Sequence, residues 1–166
     1  MPVLQALNLH FAPAISIAAW SQIANGPLTT MSTLKELNLE DCRIDMCDFS
    51  RMFSNTRSLK RLFITAVHLH RGFRDDLAQT FFGLANGPCE LETFSLGSGG
   101  LFMGENEEII FPSSLHKPDV LPFDSEGEIE GEEEWIEVVI QPWIHWKGRD
   151  DVKWILREMA AHVQSL

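Results

Sequence analysis

The feature that most constrains the fold is a short phrase, apolar-x-x-apolar-x-apolar, that the chain repeats. It reads Leu4-Gln-Ala-Leu7-Asn-Leu9, then Leu34-Lys-Glu-Leu37-Asn-Leu39, Leu59-Lys-Arg-Leu62-Phe-Ile64 and Leu91-Glu-Thr-Phe94-Ser-Leu96. The first residues of these units lie 30, 25 and 32 positions apart. A period of this length implies strand-and-helix units, each burying its apolar row against the next, and so a stack instead of a globule built around one pocket. Within a strand alternate side chains face opposite ways, which sends Leu37 and Leu39 inward and Glu36, Asn38 and Glu40 outward.

The rest of each unit reads as a short helix. In the second unit Asp45 and Asp48 offer N-caps, and Phe49, Met52 and Phe53 follow at helical spacing up to Asn55. Apolar helix faces in the first and third units, Trp20-Ile23-Ala24 and Phe73-Leu77-Phe81-Leu84, run into Asn25-Gly26-Pro27 and Asn86-Gly87-Pro88. Both predict a left-handed cap followed by a proline that ends the helix.

The repeats are expected over residues 1–103, about four units, after which the pattern fails. Residues 104–134 hold scattered apolar side chains, three prolines and a run of acids from Asp124 to Glu134, read as a solvated loop or insert. Residues 135–166 are expected to close the stack as a strand, Trp135–Ile140, and an amphipathic helix. That helix starts at Asp150 or Asp151 and buries Val152, Ile155, Leu156, Met159, Val163 and Leu166. Four of the five tryptophans fall in this cap. Met1 stands three residues before the first consensus leucine, so the chain is expected to be a fragment of a longer repeat protein.

Charge narrows the function classes. Residues 1–100 carry 8 Lys and Arg against 9 Asp and Glu, residues 101–166 carry 5 against 15, and the total is −11. With no basic stripe, neither nucleic acid nor an anionic membrane is an expected partner. No apolar run is long enough to span a bilayer, and three unpaired cysteines fit a reducing compartment, so an intracellular location, cytoplasmic or nuclear, is expected.

The stretch Leu34-Lys-Glu-Leu-Asn-Leu-Glu-Asp-Cys42-Arg-Ile44 resembles a leucine-rich repeat of the cysteine-containing or ribonuclease-inhibitor-like kind. The Leu4, Leu59 and Leu91 units resemble it more loosely, with Ala12, Val67 and Gly99 in place of Cys42. The overall texture is similar to the repeat region of fungal F-box and leucine-rich-repeat proteins, without the F-box helices. What this resemblance implies is an α/β solenoid with a curved parallel sheet, helices on the convex side and a concave contact face. It also implies a non-enzymatic protein-recognition role, such as the substrate-binding part of a ubiquitin-ligase adaptor.

Outward positions then define the candidate contact face in three rows. They are Ala6, Glu36, Arg61 and Thr93; Asn8, Asn38, Phe63 and Ser95; His10, Glu40, Thr65 and Gly97. Phe63 is the sharpest candidate, because an outward aromatic is the usual anchor of a protein contact. Glu36 and Arg61 are expected to pair across neighbouring strands. Cys42 reads as a buried structural thiol. His68 and His70 lack further ligands at metal spacing, Gly97–Gly104 lacks the Lys and Ser or Thr of a phosphate loop, and the acidic run lacks a calcium-loop frame. No catalytic residue, metal or cofactor is expected; the rivals are a small hydrolase or transferase domain and a structural remnant of a repeat protein.

Overall fold

The computed structural model describes residues 5–10, 33–97, 99–104, 107–115 and 144–166, with the backbone alone at His10 and Asn55. The first unit's helix with Asn25-Gly26-Pro27, the acidic run 124–134 and the expected strand Trp135–Ile140 lie outside these residues. In chain order the elements are β1 (Ala6–His10), β2 (Glu36–Asp45), α1 (Met46–Asn55), β3 (Arg61–His70), α2 (Arg74–Asn86), β4 (Thr93–Leu96), β5 (Leu101–Met103), β6 (Glu107–Glu108), a 3-10 turn (Ser113–Leu115), β7 (Ile144–Lys147) and α3 (Arg149–Ser165).

The architecture is mixed α/β around one open, mostly parallel sheet ordered β1-β2-β3-β4-β7. The four repeated phrases supply β1 to β4, and Leu7, Leu37, Leu62 and Phe94 stand side by side in register. A recurring backbone fork sets that register. The Gln5 carbonyl accepts from the N–H groups of Lys35 and Glu36 at 2.8 and 3.0 Å, Lys35 from Lys60 and Arg61 at 2.8 and 2.9 Å, and Lys60 from Glu92 and Thr93 at 2.7 and 3.0 Å. The carbonyl of a consensus leucine is also served by the following unit. Ser58 Oγ donates to Leu34 O at 2.9 Å, and Cys89 Sγ to Leu59 O at 3.1 Å.

Each long strand bends at one residue in the left-handed region, Asp41 at φ 49° and Ala66 at φ 50°. The bend restarts the alternation, so inward positions three apart, Leu39 with Cys42 and Ile64 with Val67, all point into the core. In the fourth unit the same bend is lengthened. Gly99 and Gly100, at φ 87° and 50°, separate β4 from β5, and both halves pair with β3. The partner of Cys42 and Val67 is therefore Leu101, not Gly99, and the strand pairing runs on through Met103.

The helices follow the crossovers that parallel strands require. Buried side chains of α1, α2 and α3 join the inward strand side chains in one core. At its centre Phe81 of α2 meets Phe94 of β4 and Phe111 edge-on, each at 6.4 Å between ring centroids. In α1, Phe49, Met52 and Phe53 are buried as the spacing predicts, and Asp45 takes the N-cap position without a side-chain cap bond.

Several expectations need correction. Phe73 is not on the buried face of α2. It is the extended N-cap residue, 79% exposed, and burial starts at Leu77. Gly87 ends α2 at φ −77° instead of in a left-handed cap, its N–H donating to Gly83 O at 2.7 Å. Residues 107–115 are not loose insert, because they add β6 and bury Ile109, Phe111 and Leu115. The capping strand described is Ile144–Lys147, antiparallel to β4. Helix α3 begins at Arg149 after Gly148, buries the expected face from Val152 to Val163, and leaves Leu166 exposed. Among the described residues no helix is long and apolar enough to cross a membrane.

Leu62 is fully buried on the central strand, with neighbours on both sides that cannot close a gap without losing register. Leu62→Ala is expected to cost about 2–5 kcal/mol in denaturant melts, whereas Arg61→Ala, one residue away on the exposed face, should cost no more than about 1 kcal/mol. Equal losses would contradict the facing assigned to β3.

Candidate functional site

The sheet face away from the helices is made of the outward strand positions, and the ladder register sorts them into rows. The first row is Ala6, Glu36, Arg61, Thr93 and Lys147; the second is Asn8, Asn38, Phe63, Ser95 and His145; the third contains His10, Glu40 and Thr65. The structure thus brings together the rows expected from alternation and extends two of them by one strand. Gly97 closes the third row beside Thr65, where any Cβ would run into the Thr65 side chain.

In the first row Arg61 Nε lies 2.8 Å from Glu36 Oε2. Arg61 is mostly in solvent, so the pair contributes about 0–1 kcal/mol and chiefly holds two long side chains in place. At the strand starts Lys60 Nζ bonds Glu92 Oε1 at 2.6 Å, and Arg149 pairs with Glu90 at 2.9 Å. The hydrogen bond from Lys60 holds the Glu92 carboxyl below its ordinary value.

The second row grades from open to closed. Asn8 is exposed, Asn38 and Phe63 are half-buried, and Ser95 is 5% exposed with its Oγ 3.3 Å from His145 Nδ1. The third row has Glu40 and Thr65 half-buried, while His10 contributes its backbone register with Glu40.

Beyond the bend the same face continues with Arg43, His68 and Phe102, and then Asp45 beside His70. These residues were not among the expected contacts. Their signal was present, since restarting the alternation at Cys42 and Val67 turns Arg43, Asp45, His68 and His70 outward. The His68 and Phe102 rings stack at 4.4 Å and 10°. Burial, followed by the Arg43 charge, pushes His68 below its ordinary value and keeps it neutral near pH 7. Asp45 Oδ2 has Arg71 at 3.7 Å.

The cap tryptophans divide their roles. Trp146 is half-buried and donates through Nε1 to Leu115 O at 2.9 Å, whereas Trp154, packed on it at 5.2 Å, is 44% exposed. Trp135 and Trp143 lie outside the described residues. Cys42 is the expected buried thiol, its Sγ 3.0 Å from Glu40 O, and Cys47 is exposed. Among the described residues no three His, Cys, Asp or Glu side chains converge as a metal cage.

Comparisons with protein-family models, with curated proteins and with solved structures found no match for this chain.

Cys89 gives a pH test of the packing between units. Burial pushes its thiol up to about 11 from an ordinary 9.0. A folded value above the unfolded one means stability present below pH 9.0 and lost as pH rises toward about 11. Chemical denaturation across that window should show this loss, and Cys89→Ala should flatten it. An unchanged slope in the variant would remove Cys89 as the cause. Below pH 9.0, alkylation of the native protein should mark Cys47 ahead of Cys42 and Cys89.

Proposed function

We propose that the chain is a leucine-rich-repeat-type solenoid segment that acts as a non-enzymatic protein-recognition module, binding a protein or peptide on its open sheet face. The solenoid reading is supported by the unit-by-unit recurrence of the carbonyl fork, the left-handed bend and the strand-to-helix crossover. The recognition reading is carried by the second row. Phe63, an aromatic ring, stands between Asn38 and Ser95, with the Glu36–Arg61 pair in the next row, so an apolar centre lies within a polar rim. The ladder holds all of these side chains on rigid strands, which reduces the ordering cost of binding. Recruitment of substrates to a ubiquitin ligase is the role implied by the resemblance to F-box and leucine-rich-repeat proteins, and it rests on that resemblance.

The rival enzymatic reading draws on Ser95 and His145, a hydroxyl and an imidazole within 3.3 Å. An acyl-transfer nucleophile must meet its substrate, and Ser95 is 5% exposed. A serine-directed fluorophosphonate probe separates the two readings. Labelling at Ser95 that is lost in His145→Ala would favour a hydrolase.

The recognition reading is tested by selecting binders from a random peptide library on the wild-type protein and measuring them on Phe63→Ala. Affinity should fall at least about fivefold, an anchor loss of about 1 kcal/mol, with the melting temperature nearly unchanged. Undiminished binding together with a large loss of melting temperature would make Phe63 a packing residue and move the contact surface elsewhere.

A further inference from the structure

We draw no further inference here: the strongest candidate, the side-chain pair Asp45 and His70 where β2 and β3 end side by side, with Asp45 Oδ1 and His70 Nε2 each buried and without a hydrogen-bond partner, carries no site, because Arg71 already meets the Asp45 carboxylate at 3.7 Å and no third ligating side chain converges on the pair among the described residues.

Discussion

The rest of the structure depends on the register of the parallel ladder. A carbonyl at Gln5, Lys35 and Lys60 accepts two N–H groups from the unit that follows, and this fork fixes where each strand enters. Because side chains alternate with a period of two, a slip of one residue would carry Leu37, Leu39, Leu62 and Ile64 into solvent and bury Glu36, Arg61 and Asn38. Core and open sheet face are therefore set by the same hydrogen bonds. The row of leucines is cohesive only because the forks align it, and Phe63 stands beside Asn38 and Ser95 for the same reason.

The second constraint is the left-handed residue inside each of the two long strands, β2 and β3. A regular strand would turn position 42 outward after Glu40, and Cys42 would leave the core. Asp41 at φ 49° restarts the alternation instead. Aspartate tolerates that conformation. Ala66 does not gain from it, and accepts a cost of about 1–2 kcal/mol because β2 and β5 hold β3 on both sides of the bend. Where the fourth unit takes a longer detour, glycines fill it. The bend also divides the open face into a mixed patch around Phe63 and an aromatic patch formed by His68 and Phe102.

Much of this was legible from spacing. The strand positions, the inward rows, the Glu36–Arg61 pair and the buried faces of α1 and α3 follow from periods of two and 3.6. The failures have local causes. Phe73 sits at helical spacing from Leu77, yet its backbone is extended, and periodicity cannot distinguish an N-cap from a first turn. Gly87 follows asparagine and precedes proline, but Pro88 already bars the helix from continuing, so no left-handed residue is needed to end it. Strand β7 is four residues long, too short for alternation to announce it, and it joins β4 from fifty residues away. The burial of Ser95 could not be foreseen without it, since the side chain that approaches Ser95 is His145 of that strand.

The addition of β7 explains why the two sides of the molecule offer different chemistry. An antiparallel strand ends the parallel series and covers the edge of β4, and α3, which follows at once, packs against α2 and extends the helical layer. On the sheet side each outward residue has neighbours from the adjoining strands, Glu36 pairs with Arg61, and Phe63 is only half-buried. On the helical side α2 and α3 meet along a line that no further helix among the described residues covers, and Phe82 remains exposed. The ladder thus holds its outward polar groups on paired strands, while the helix pair leaves apolar surface exposed, whose removal from water would be favourable.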